Sequence, residues 1–288
     1  MLSPLLLRFH GSMSENVFLV LGATGKTGRR VTARLRADGR TVRAASRSSE
    51  ARFDWTDPST WDDVVNGVSA VYVIAPDVPG PAHDFVPRAV AAGVRRFVLL
   101  SGRGADTWGD SAFGLDMRSA EEAVRASGVE WSILRPTNFD QNFDEDVFHA
   151  PIMAGELALP AHDIVEPFID ADDVADVAVA ALTEPGHAGH VYELSGPRGL
   201  TFREATEEIA RVSGRPVRYV DVSPEEYVAA FVAQGVSPEV ANYIGEMFDL
   251  MRRGATAKVT DDVHRVLGRR PRDFETYVAR AAAAGAWR

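Results

Sequence analysis

Three glycines, Gly22, Gly25 and Gly28, stand three residues apart directly after an apolar run, with Thr24, Lys26 and Thr27 between them. A turn without Cβ atoms lets the backbone come close to a pyrophosphate. The helix that follows offers unpaired N–H groups and the positive end of its dipole to the same anion. Val17 to Leu21 reads as a buried strand, and Val31 and Leu35 as one face of a helix. Strand, glycine turn and helix form the context that a dinucleotide fingerprint requires, here spaced GxxGxxG rather than GxGxxG. Gly25-Lys26-Thr27 also imitates the end of a P-loop, but that motif needs a glycine where Val20 stands.

The end of the second expected strand, Thr41 to Ala45, decides which nucleotide suits the turn. NAD sites place an acidic residue there for the ribose hydroxyls; this chain has Ser46-Arg47. A guanidinium is a planar, permanently charged fork that matches a 2′-phosphate, so NADP(H) is expected in preference to NAD(H). Asp54 and Trp55 could border the adenine, with Trp55 equally suited to the core.

The elements that must position these residues alternate. A helix capped by Asp57-Pro58-Ser59 turns Trp61, Val64 and Val65 inward, and Val68 to Ala75 is apolar until Pro76. Phe85 to Gly93 reads as a helix, Arg96 to Ser101 as a strand, Ser119 to Ser127 as a helix, and Trp131 to Leu134 as a strand stopped by Arg135-Pro136. The pattern predicts an α/β fold: a Rossmann-like, doubly wound parallel sheet. Ligands then lie beyond the carboxyl ends of the strands, at Ser46-Arg47, Ala75-Pro76, Ser101 and Pro136 to Asn142. Ser46 to Trp55 is too short for a helix and a full strand, so this crossover is pruned.

Beyond Asn142 the rhythm breaks. Asp144 to Pro167 reads as irregular, Asp170 to Leu182 as a helix, Val191 to Leu194 as a strand, and the rest as mostly helices with a strand at Val217 to Val220. Residues 15–142, joined by about 168–196, are expected to form the nucleotide-binding domain, and 143–288 a smaller, mostly helical C-terminal lobe over the substrate. Residues 1–14 are expected to lie outside the fold.

A chain of 288 residues with 45% apolar content can bury a full core. Its 31 basic and 41 acidic residues give a charge of −10, which argues against nucleic acid as partner. Arg269, Arg270 and Arg272 read as a solvated turn. With no cysteine there is no thiol nucleophile, disulfide or zinc–thiolate site. No apolar run approaches a membrane span, and Leu5-Leu6-Leu7 is too short for a signal core. A cytoplasmic monomer or homodimer with a small-molecule substrate is expected. Asp170, Asp172, Asp173 and Asp176 suit helix capping and dipole compensation better than a metal, so no metal site is expected. Asp144-Glu145-Asp146 reads as a solvated acidic turn.

Gly22-Ala23-Thr24-Gly25-Lys26-Thr27-Gly28, Ser101, the stretch Ser127 to Pro136, Phe139-Asp140-Gln141-Asn142 and Tyr192 to Pro197 together resemble the NmrA-like branch of the atypical short-chain dehydrogenases/reductases. The resemblance runs from about Val17 to Trp287. It implies a Rossmann-like NAD(P)-binding domain with a small C-terminal lobe. The branch includes quinone reductases, aromatic-alcohol-ether reductases and non-catalytic redox sensors. The wider superfamily uses a Tyr-x-x-x-Lys pair, and counting back from Glu121 and Ser127 puts Phe113 and Met117 at its positions. Between Tyr72 and Tyr192 there is no other tyrosine and no lysine, which argues against carbonyl reduction by that pair.

Hydride transfer does not depend on that pair when the acceptor is conjugated. A ketone yields an alkoxide, whose conjugate acid resembles water at ~15.7. A quinone yields a phenolate-like anion near ~10, a gap worth about 8 kcal/mol. Such an acceptor needs positioning and one hydrogen-bond donor. The candidates for its pocket are His83, Asn138, Phe139, Asn142 and His149, with Ser101 beside the nicotinamide. The sequence favours an NADP(H)-dependent oxidoreductase acting on a quinone-like or conjugated molecule. A nucleotide-sensing regulatory protein and a redox-neutral biosynthetic enzyme stay open beside it.

Overall fold

The computed structural model describes residues 16–108, 111 and 114–288; the expected N-terminal extension and Phe113 lie outside the described residues. β1 (Val17–Leu21) leads through the glycine turn into α1 (Lys26–Ala37), followed by β2 (Thr41–Ser46) and β3 (Ala51–Arg52). Then come α2 (Trp61–Val65), β4 (Val68–Ile74), α3 (Pro81–Ala91), β5 (Arg96–Leu100), α4 (Leu115–Arg125) and β6 (Glu130–Pro136). The second half holds α5 (His149–Met153), β7 (Glu156–Leu159), β8 (Val165–Glu166), α6 (Ala171–Thr183) and β9 (His190–Leu194). It ends with β10 (Leu200–Thr201), α7 (Phe202–Ser213), β11 (Arg218–Asp221), α8 (Pro224–Ala233), α9 (Pro238–Arg252), α10 (Asp262–Leu267) and α11 (Phe274–Ala284).

Seven strands form one parallel sheet in the order β3-β2-β1-β4-β5-β6-β9. The order reverses between β1 and β4, and that switch point opens a crevice at the carboxyl ends. Both faces are apolar, as strands covered on two sides must be. Leu19, Val71 and Phe97 pack toward Val64, Phe85 and Val124, whereas Val20, Tyr72 and Val98 pack toward Val31, Leu35 and Val177. A third core, built on Phe143, Phe148, Phe202, Phe248 and Tyr277, fills the C-terminal lobe.

The stretch expected to be irregular, Asp144 to Pro167, contains α5, β7 and β8. β7 pairs in parallel with β11, and β8 antiparallel with β10. Elements of two to five residues are too short to display a hydrophobic period, so the sequence pattern could not reveal them. β3 has the same cause: the pruned crossover has no helix and leaves a two-residue edge strand beside β2. α3 begins at Pro81, before the apolar face at Phe85, because proline fits a first helical position that has no N–H partner to lose.

Candidate nucleotide and acceptor site

The glycine turn is shaped by steric need. Gly22 has φ +62, and the Gly25 N–H donates to its carbonyl at 2.9 Å. A Cβ on Gly28 would collide with the Gly22 carbonyl oxygen and lie 2.8 Å from its carbon. Gly25 caps α1 without a side-chain bond, and the first turn carries no acidic residue. The N–H groups and dipole of that turn are therefore available to an anion. Thr24 is exposed beside them and Thr27 is buried beneath.

At the end of β2, Ser46 is buried and hydrogen-bonded to the Ser49 hydroxyl at 2.6 Å. Arg47 is exposed and makes no hydrogen bond or ion pair among the described residues. Asp54 accepts from the backbone N–H and hydroxyl of Thr56 at 2.9 and 2.8 Å; those bonds, with Arg47 and Arg52 nearby, hold its carboxyl below the ordinary value. Trp55 is half-buried and packs against the core, its ring 4.8 Å from Phe53 and 5.3 Å from Phe85. Ala75 and Pro76 follow β4, whose Ile74 side chain lies against Gly22.

Where β5 and β6 end, a cavity of about 840 Å³ opens between the sheet and the helical lobe. Lys26, Ser101, Pro136, Asn138, Phe139 and Asn142 line it. The Lys26 ammonium leaves the glycine turn, donates to Asn142 Oδ1 at 2.7 Å, pairs with Asp146 and sits 5.6 Å from the Phe139 ring centre. Asn138 donates from its backbone N–H and its carboxamide to one oxygen of buried Glu166, at 3.0 and 3.1 Å. Thr256 bonds the other oxygen. Burial pushes the Glu166 carboxyl up, while the bonds from Thr256 and Asn138 pull it down.

Ser101 donates to buried Glu121 at 2.7 Å, and Glu121 in turn takes a two-pronged contact from buried Arg135 at 2.8 and 2.6 Å. Glu121, outside the cavity lining and not among the sequence-based candidates, holds Ser101 from the inward stripe of α4 that it shares with Ala120 and Val124. A carboxylate on an apolar helix face is the signal that marks it. Met117, at the expected lysine position, lines the cavity, and its sulfur lies 2.7 Å from where a Cβ on Gly102 would be.

Two expected pocket residues lie elsewhere. His83 is on the exposed side of α3, away from the cavity. His149 turns from it, with Nε2 2.9 Å from the Ala286 carbonyl, while its neighbours Phe148 and Ala150 line the wall. The acidic turn is not merely solvated: Glu145 pairs with Arg29 and Arg30, Asp146 with Lys26, and Asp144 accepts from Tyr277 at 2.8 Å. Nor are Arg269 and Arg272 a free basic turn. Both pair with Asp173 and Asp176 on α6, where Asp170 caps the helix by accepting from the Asp172 N–H at 2.9 Å.

Residues 22–185 match the family model described as NAD(P)H-binding. The chain is 32% identical to an NAD(P)H azoreductase of Xenophilus azovorans over 94% of this chain and all of that one. It is 35% identical to the (4-alkanoyl-5-oxo-2,5-dihydrofuran-3-yl)methyl phosphate reductase of Streptomyces griseus, covering 93% and 99%. The fold is shared with the NADPH complex of an Escherichia coli quinone oxidoreductase, at TM-score 0.73 and 22% identity over 91% and 99% of the two chains. A mutant NmrA gives TM-score 0.72 and 17% identity over 94% and 97%. No helix among the described residues is long and apolar enough to cross a membrane. A glycine turn opening α1, a parallel sheet reversing beside it and these relatives place the chain in the NAD(P)H-binding family, among NAD(P)H-dependent oxidoreductases.

Proposed function

We propose that this protein transfers hydride from NADPH to a quinone-like or otherwise conjugated small molecule, without a Tyr-Lys pair. The observation that carries the reading is the cavity itself. Its apolar lining runs from Ser101 and Pro136, at the ends of β5 and β6, to Lys26, which follows the glycine turn and is its polar link to it. When bound, the reduced nicotinamide supplies the hydride. The Gly22–Gly28 backbone would receive the pyrophosphate and Arg47 the 2′-phosphate. Ala75, Pro76, Ser101 and Pro136 would border the nicotinamide, and Asp54 would approach the adenosine.

The Asn142 carboxamide would donate to negative charge that develops on the acceptor, and Lys26, paired with Asp146, would hold Asn142 in place. Asn138, locked by Glu166, would fix the acceptor's orientation, and Phe139 would give it a flat wall. A phenolate-like product makes modest demands, so positioning dominates. The relatives named for azo and quinone reduction support this choice of acceptor.

The apolar Met117 at the expected lysine position favours a second reading, a protein that binds NADP(H) and responds to it without chemistry. Following loss of reduced-nicotinamide absorbance across quinones, enones and azo dyes separates the two. Acceptor-dependent NADPH oxidation is expected; tight NADPH binding with no turnover on any acceptor would establish the sensor. Binding neither nucleotide would defeat both.

A further inference from the structure

One face of α8 forms a wall of the cavity: Tyr227, Ala230, Phe231 and the capping Gln234, at i, i+3, i+4 and i+7. Packed beside it, α9 presents Ile244, Met247, Leu250 and Met251. The two ends of the α8 stripe are polar. Tyr227 is deep in the lobe core, against Phe231 at 4.8 Å and Phe248 at 5.3 Å, whereas Gln234 is exposed. Seven residues of helix separate them by about 10 Å.

Most polar side chains on the lining are already engaged. Thr137 donates to the Pro167 carbonyl at 2.7 Å, Glu156 holds Arg218 at 2.8 Å, and Glu226 accepts from the Ser223 N–H at 2.8 Å. Ser101, Asn138 and Thr256 serve the buried carboxylates described above. The lining cations are answered as well: Lys26 by Asp146, and Arg103 by Glu193 at 3.1 Å. The Arg103 nitrogen that lacks a hydrogen bond is sealed from solvent. Tyr227 differs. Its hydroxyl has no hydrogen-bond partner among the described residues, yet it is not sealed off. Burial pushes this phenol up to about 12, so it keeps its proton throughout the neutral range.

We propose that the cavity takes an uncharged, elongated and mostly apolar molecule lying along α8, whose neutral oxygen acceptor is received by the Tyr227 hydroxyl. The assignment rests on reading this cavity as the acceptor site. An apolar wall rewards area removed from water, and one uncommitted donor at the deep end rewards a carbonyl or ether oxygen there. A carboxylate or phosphate would find Asp146, Glu156 and Glu226 on the lining and no unpaired cation to offset its desolvation.

The test uses calorimetric titration of the full chain with three redox-inert probes of similar length: para-acetylbiphenyl, para-isopropylbiphenyl and biphenyl para-carboxylate. The acetyl probe should bind about three- to tenfold more tightly than the isopropyl one, the range one hydrogen bond confers. The carboxylate should bind more weakly than either. Tyr227→Phe should abolish the acetyl preference and leave isopropyl binding unchanged, which also shows that the variant is folded. Equal binding of the two neutral probes to the unaltered chain, tighter carboxylate binding, or a preference that survives in Tyr227→Phe would overturn the proposal. Because no turnover is read, failure to reduce any acceptor would count against hydride transfer and not against this ligand class.

Discussion

The two sides of the crevice are built by opposite means. On the sheet side, the contacts that prepare a nucleotide site are backbone contacts: a glycine at φ +62, a carbonyl with no room for a Cβ beside Gly28, and a helix start with no capping side chain. On the lobe side the wall is made of side chains, aromatic and methionine, carried by α8 and α9. A backbone cradle fixes a shape that any sequence using it must respect. A side-chain wall leaves the same helices free to read different molecules. The seam between them is held by charge, with Lys26, Arg29 and Arg30 of α1 paired to Asp146 and Glu145.

The largest expected break is Gly28→Ala. The added methyl meets backbone rather than a flexible side chain, so the turn must open. NADPH binding should fall by at least about a hundredfold, with loss of stability of roughly 1–3 kcal/mol as for overpacking. Calorimetry and thermal melting read the two effects; near-normal affinity would mean that the cradle is not the nucleotide site.

Next comes Glu121→Gln, which removes the buried charge facing Arg135 and one of the two oxygens that accept from Arg135 and Ser101. Removing one member of a buried pair costs about 3–5 kcal/mol, visible as a lower denaturation midpoint. An unchanged midpoint would show that Asp106 and Glu193, which also reach Arg135, suffice.

Arg47→Ala sharpens the comparison by touching only the nucleotide side. A charge-assisted bond of about 1.5–3 kcal/mol predicts roughly 10- to 150-fold weaker NADPH binding. NADH binding should stay unchanged, and equal weakening of both would remove the 2′-phosphate role.

The smallest effect lies at the seam. Asp140 is fully buried, and neither carboxyl oxygen has a hydrogen-bond partner among the described residues. Burial, with Asp170 and Asp173 nearby, pushes its carboxyl well up. A folded-state pKa above the unfolded one means that the folded chain favours the protonated acid. Its contribution is therefore intact below the unfolded carboxylate range and lost as pH rises through the raised value. Asp140→Asn should raise the melting temperature near about pH 8 and leave it nearly unchanged near about pH 4. A gain of the same size at both would refute a titrating Asp140.

What could be read beforehand follows the same division. The glycine turn and the long parallel strands announce themselves through spacing and apolar runs. The partners of Asp144–Asp146 and of Arg269 and Arg272 do not, because each pair joins residues about a hundred or more positions apart. Lys26 could be read as part of the turn, but its reach to Asn142, 116 residues away, comes only with the fold. His83 and His149 are candidates by residue type and by their places after Pro76 and in the insert; the first is exposed on α3 outside the cavity lining, and the second bonds the Ala286 carbonyl. Glu166 sits on a two-residue strand that no pattern could mark.

The central claim is direct hydride transfer from a nucleotide in the cradle to a molecule on the side-chain wall. NADPH deuterated at C4, on one face and then the other, should be compared with unlabelled NADPH in reducing a naphthoquinone. A primary isotope effect from one face alone is expected. Saturable NADPH binding without acceptor-dependent oxidation, or oxidation with no isotope effect from either face, would contradict it.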